Sequence, residues 1–220
     1  MNDIRIPWFL ERTLAMKSRA RFGNMVWGFL VMVFLLSSCS STPPVAYYTL
    51  NTLPEMQREI PTAIMDDTIA IGVGPVEFPK FLHRPQIVTR KSQNQIEVSE
   101  FHRWAGSFPG DFSRVLAKNI SILLPTNRVA VYPWGEHFSP TYRIKLEVEQ
   151  FDGQLGERVV LDVTWMVTDQ EGTNKLLVRK SLMEEPVADK TYEALVVAES
   201  NALATLSRTI VEEIRRLGTP

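Results

Sequence analysis

Between residues 142 and 183 the chain alternates so regularly that a β-sheet is the structure that accommodates it. Tyr142, Ile144, Leu146 and Val148 fall on one side, and Arg143, Lys145, Glu147 and Glu149 on the other. That period of two gives a strand one dry and one wet face. Residues 159–168 repeat it with Val159, Leu161, Val163, Trp165 and Val167. Gly153 and Gly156 supply the first turn and Asp169-Gln170-Glu171-Gly172 the second, leading into a third strand over 175–183. The result is an antiparallel meander whose apolar face must be covered. Residues 191–217 offer the cover, a helix of about seven turns. Tyr192, Leu195, Val196, Glu199, Leu203, Leu206, Ile210 and Ile214 lie on or near one stripe, and Gly218 and Pro220 close it.

The residues upstream add to the same sheet. Residues 47–50 (YYTL) read as a first strand, and 53–67, acidic and proline-bearing, as a surface loop. Residues 69–78 form a strand with Ile69, Ile71 and Val73 on one face and Ala70, Gly72 and Gly74 on the other, where small residues admit a close neighbour. Gly72-Val73-Gly74 is followed by Pro75 and no third glycine, unlike a nucleotide-binding loop. Pro79 and Pro85 bracket an extended segment. Residues 87–89 and 95–99 make a hairpin about Ser92-Gln93-Asn94, and 101–105 lead towards a helix over 111–124 with Asp111 as N-cap and Pro125 as its stop. On that helix Phe112, Val115, Leu116, Asn119, Ile122 and Leu123 share a stripe. A short strand at 129–132 precedes a loop at Pro133-Trp134-Gly135, where Trp134 either covers the end of the core or touches a partner. The expected fold is α+β: a single domain with a mixed or antiparallel sheet and two main helices packed on it.

The N-terminus determines where such a domain would live. An apolar run of about a dozen residues, Met25 to Leu36, follows Lys17, Arg19 and Arg21 and ends in Ser37-Ser38-Cys39. That is the layout of a secretory signal peptide, too short for the roughly 20 residues of a bilayer-spanning helix. Leu36-Ser37-Ser38-Cys39 resembles a lipobox, in which the thiol takes a diacylglycerol and the chain is cut before the cysteine. A further acyl chain on the freed amine makes the attachment stable. Asp3, Pro7 and Glu11 do not suit a leader, so translation is expected to start at Met16. The expected organisation is a signal peptide over 1–38, a lipidated tether over 39–46 and a domain over 47–220. Ser40 to Val45 reach roughly 20 Å when extended, which keeps the domain close to its membrane.

The chemistry of catalysis is missing from the pattern. Cys39 is the only cysteine, which rules out an intrachain disulfide framework. His83, His102 and His137 are isolated and read as surface residues, with no metal-site spacing. No G-x-S-x-G elbow occurs. Glu147 and Glu149 could be paired acids but fit better as a solvated ladder with Arg143 and Lys145. Arg84, Arg90 and Arg103 either hold backbone carbonyls or meet a phosphate headgroup. The leader contains five of the 24 basic and two of the 25 acidic side chains, so the remainder carries a formal charge of −4. This is not a nucleic-acid-binding composition. No catalytic residue, metal or cofactor is assigned, and a hydrolase with a scattered site is the least favoured reading.

The run P-x-F-L-x-R-P-Q-I-V-x-R at Pro79 to Arg90, with Arg103-Trp104-Ala105 beyond it, resembles the ABC-type transport auxiliary lipoproteins, the PqiC-like family. The aromatic strand soon after the cysteine and the long alanine-rich final helix agree. The chain departs from the family pattern at His83 and at Gly106-Ser107-Phe108. The resemblance implies an outer-membrane-anchored periplasmic component of a lipid transport system that pairs a permease with an MCE-domain protein. Phe81, Leu82, Arg84 and Trp134 are the candidate partner interface, together with an open sheet edge. A homo-oligomer, such as a ring around a tube-like partner, is compatible with that role. The alternative is an assembly or chaperone lipoprotein that binds lipid or client in a pocket. Metabolic labelling with a fatty acid is expected to mark the wild-type protein and to leave Cys39→Ser unlabelled; label on the variant would show that lipid is attached elsewhere.

Overall fold

Eight strands make one mixed sheet and two helices cover one of its faces, an α+β arrangement, in the computed structural model, which describes residues 43–54, 69–124 and 126–218. In chain order these are β1 (Ala46–Tyr48), β2 (Ile71–Glu77), β3 (Gln86–Ser92), β4 (Gln95–Trp104), α1 (Phe108–Leu123), β5 (Val129–Val131), β6 (Tyr142–Gly153), β7 (Arg158–Thr168), β8 (Lys175–Pro186) and α2 (Tyr192–Gly218). Cys39, and with it the leader and the first half of the tether, lies outside the described residues.

The meander is present as expected, with β6, β7 and β8 antiparallel in sequence order. Val159, Leu161, Val163, Trp165 and Val167 are all fully buried. The Trp165 indole N–H donates to Ser181 Oγ at 2.9 Å, so the polar edge of the largest core side chain is satisfied. The other edge of β6 is shared. Its first half pairs in parallel with β2, which in turn pairs with β5, and its end meets β3 at Thr89–Gly153. β3 continues through the β4 hairpin to β1. The sheet therefore forks along β6.

Two irregularities make the fork. The β2–β6 register shifts between Val73 and Val76, and β6 has a bulge against β7 between Val148 and Gln150. The extra residue reverses which face the later residues present, so Phe151, out of step with Val148 in sequence, also enters the core. Five aromatic rings fill the space. Phe78 lies edge-on to Phe112 at 5.1 Å between centroids, Trp104 lies 4.7 Å from Phe108, and Phe151 is 5.5 and 5.7 Å from Phe108 and Phe112. Such pairs each add about 0.5–1.5 kcal/mol beyond area burial.

Several expectations are corrected. Residues 101–104 continue β4 instead of leading out of it, because the strand pairs with both β3 and β1. α1 begins at Phe108, with Ser107 at the N-cap position and Pro109 in its first turn, and Asp111 is inside the helix. Leu124 is the C-cap, while the expected stop, Pro125, lies outside the described residues. Leu53, expected on a surface loop, is buried against Ile122 and Ala204. Residues 55–67 of that loop are outside the described set.

The small face of β2 does admit a close neighbour. A Cβ on Gly72 would lie 2.7 Å from Trp134 Cη2 and 3.2 Å from Pro140 Cβ. Trp134 thus closes the sheet face opposite the helices, with the Arg143 guanidinium 5.6 Å from its ring centroid. Gly72→Ala is expected to cost about 1–3 kcal/mol by overpacking. In a Trp134→Ala background most of that penalty should vanish, which a double-mutant denaturation cycle measures.

Candidate functional site

The candidate site is a set of surfaces that fix and present the domain. It starts where the chain enters. β1 lies beside β4, with Ala46 opposite His102 and Tyr48 opposite Trp104. Residues 49–54 then leave the sheet and lie against both helices. A segment outside regular structure must find partners for its buried N–H groups, and here side chains supply them. Leu50 N–H donates to Asp111 Oδ2 at 2.7 Å, Asn51 N–H to Ser200 Oγ at 3.0 Å, and Leu53 N–H to Asn119 Oδ1 at 2.8 Å. Asn119 passes the connection on, its amide donating to Ser207 Oγ, which donates to Leu203 O. With Leu50 and Leu53 buried, the segment is a strap fastened to α1 and α2.

His102 secures the start of the strap. Its ring stacks on Tyr192 at 3.9 Å and 13° and faces Tyr48 at 5.8 Å, while Ser99 Oγ meets its Nδ1 at 3.0 Å. It is half-buried, not the surface residue expected; His83 and His137 are exposed. Burial, with Glu193 and Tyr192 nearby, raises the Tyr48 phenol pKa.

The Pro79-to-Arg90 run and Arg103-Trp104-Ala105 build the fork. Residues 80–82 form a 3₁₀ turn, Trp104 N–H donates to Pro85 O at 2.7 Å, and Ala105 N–H to Tyr48 O at 2.8 Å. Arg90 grips the fully buried Asp152 through Nε and one terminal nitrogen at 2.9 and 2.7 Å, and its other terminal nitrogen holds Gln93 O at the hairpin turn. Removing one partner of such a pair costs about 3–5 kcal/mol. Gln150 donates to the same carboxylate. Arg90 is therefore a structural cross-link, made to a carboxylate that sequence spacing did not single out. The Nε of Arg103 is buried with no hydrogen-bond partner.

The candidate interface residues do not gather in one place. Leu82 is buried in the core and cannot serve as a surface contact, because the 3₁₀ turn points it inward. Phe81 is half-buried against the core, and Arg84 is exposed beside it. Trp134 lies elsewhere, half-buried, with exposed Tyr132 edge-on at 5.5 Å and Phe138 at 6.2 Å. The Thr89–Gly153 pairing puts the hairpin arm beside the last part of β6, and Tyr47, in line with Arg103 and Gln86, brings the strap's entry in about three residues before Gly153. The Trp134 loop leads into the Tyr142 end of β6. Of the expected ladder, Glu149 takes part in a different one: Lys180 bonds Glu149 at 3.0 Å and Asp162 at 3.2 Å, while Arg143 lies over Trp134.

Two open crevices of about 460 and 530 Å³ flank the domain, one between the strap and α2, the other beside Arg90 and Arg158. Both mix polar and apolar surface, with Glu185 and Arg208 in the wall of the first and Arg90, Asp152, Glu157, Arg158 and Glu184 in that of the second. Among the described residues no group of three potential ligands is placed to hold a metal, and no helix is long and apolar enough to cross a membrane.

Comparison with known families gives a match to the ABC-type transport auxiliary lipoprotein component over residues 48–211. Two solved structures share the fold. One, a crystal structure of an uncharacterized protein, is 21% identical with a TM-score of 0.64, over 78% of this chain and 99% of that one. The other, protein XCC0632 from Xanthomonas campestris, is 14% identical with a TM-score of 0.57, over 76% and 90% of the two chains. A comparison with curated proteins finds no match.

One buried acid leaves a measurable signature. Glu199 on α2 is 2% exposed, and its Oε2 has no hydrogen-bond partner. Desolvation, reinforced by Asp152, pushes its pKa well above the ordinary carboxyl value. The folded state therefore holds this proton to higher pH than the unfolded chain does. Its contribution to stability is complete below the unfolded carboxyl pKa and is lost as pH rises towards the folded one. Glu199→Gln should remove that loss: denaturation midpoints of wild type and variant should converge in acid and separate as pH rises. Parallel profiles would contradict it.

Proposed function

The chain belongs to the ABC-type transport auxiliary lipoprotein family, and we propose that it is the outer-membrane-anchored docking subunit of an MCE-type intermembrane lipid transport system. The family match over nearly the whole described fold carries this reading. The geometry supports it through the strap. Acyl chains on Cys39 would hold the lipid end, and hydrogen bonds to both helices hold the other, so the tether ends in the core instead of in a loose terminus. The entry is level with about Gln150 of β6, whereas the Trp134 loop leads into Tyr142. Eight residues of strand separate those levels, roughly 25 Å.

Docking is assigned to Tyr132 and Trp134, with Arg84 as a second contact and Leu82 excluded by its burial. Both crevices are open and carry charged side chains in their walls, which favours docking over carriage of an acyl chain in a pocket. Affinity capture of the tagged lipoprotein from solubilised envelopes should recover an MCE-domain protein and its permease. Tyr132→Ala, which removes an exposed ring, and Arg84→Glu should each weaken recovery while circular dichroism stays unchanged. Full recovery by the double variant would overturn the assigned surface, and recovery of lipid without either protein would favour the carrier.

A further inference from the structure

β8 is the long open edge of this sheet. Its twelve residues pair with β7 on one side and, among the described residues, with no strand on the other. Edge strands β1 and β5 have three residues each. An unpaired edge of this length is a template for another strand. Its side chains alternate: Leu177, Arg179, Ser181, Met183 and Glu185 on the helix side, and Leu176, Val178, Lys180, Leu182 and Glu184 on the open face. Leu182 is 63% exposed, Val178 52% and Leu176 42%.

The charges on this edge select one partner. In an antiparallel pair, directly opposite residues share a face, and like charges placed opposite are destabilising. Two β8 strands related by a two-fold axis normal to the sheet must therefore be centred on a residue. Centring on Arg179, Lys180 or Glu184 sets identical charges against each other. Centring on Ser181 sets Lys180 against Leu182 and Val178 against Glu184, and centring on Met183 sets Leu182 against Glu184. Centring on Leu182 alone pairs every charge with its opposite: Lys180 faces Glu184 of the second copy on the open face, Arg179 faces Glu185 on the helix side, and the exposed Leu182 of each copy meets the other on the axis.

We propose that β8 pairs antiparallel with β8 of a second copy about Leu182, joining two sheets into one. Backbone hydrogen bonds and burial of Leu182 and Val178 drive the pairing. The charges set its register, since Lys180 and Arg179 already have intrachain partners in Glu149, Asp162 and Glu213 and exposed ion pairs add little. This inference rests on β8 alone and is independent of the transport reading.

Sedimentation velocity of the full acylated protein in detergent tests it. Wild type should sediment as a dimer and Leu182→Lys as a folded monomer. Leu182→Cys should form a disulfide-linked dimer under mild oxidation. Arg179→Glu should weaken dimerisation on the order of tenfold, and Arg179→Glu with Glu185→Arg should restore it. A monomeric wild type, a dimer indifferent to Leu182→Lys, or an uncross-linked Leu182→Cys would overturn the proposal. A different protein captured by wild type and lost with Leu182→Lys, with the chain alone monomeric, would assign the edge to that protein instead.

Discussion

One strand serves two partners along a single edge, and the rest of this fold follows from how that is managed. β6 pairs with β2 over its first half and touches β3 only at Gly153. A flat continuous ladder could not do both. The bulge at 148–150 turns the strand, Phe151 enters the gap, and Phe78, Trp104, Phe108 and Phe112 close around it. The Arg90–Asp152 pair then locks the hairpin arm to the end of β6. Because both arms lean on this junction, the run from Pro79 to Arg90 is architecture, even though it reads at first like a binding loop.

The strap is the second consequence. Once the hairpin arm is fixed, β1 can add only at its outer side, and the chain must cross both helices on its way to β2. The N–H groups of the buried Leu50 and Leu53 lose water on that path and Asp111 and Asn119 replace it, while Ser200 holds the more exposed Asn51 between them. Burial without those partners would cost about 1–3 kcal/mol for each group. The same chemistry would give a domain tethered at its N-terminus a firm attachment, since load there passes into two helices and not into a three-residue strand alone.

Much of this was legible in the chain. The meander, the final helix and the hairpin follow from periods of 2.0 and 3.6, which depend only on neighbours a few residues away. The Gly72 face announced a close approach and Trp134 fills it. Phe151, one residue out of phase, was a visible sign of the bulge, and Asn119 on an apolar stripe was a visible sign of a buried polar contact. The interface residues read less well. Phe81 and Leu82 are apolar and follow a proline, as a docking loop would, but whether such a turn points inward depends on what lies beneath it.

The sequence by itself determined the elements, the apolar faces, the absence of a disulfide framework and the family resemblance, because these are properties of short stretches or of counting. Only the tertiary structure decided that Asp152 belongs to Arg90, that Asp111 caps a strap and not its own helix, and that β8 ends as the open edge. The first two join groups 62 and 61 positions apart, and the third depends on which strand has no neighbour among the described residues. No local period encodes such a pairing, since it is set by the packing of every intervening element.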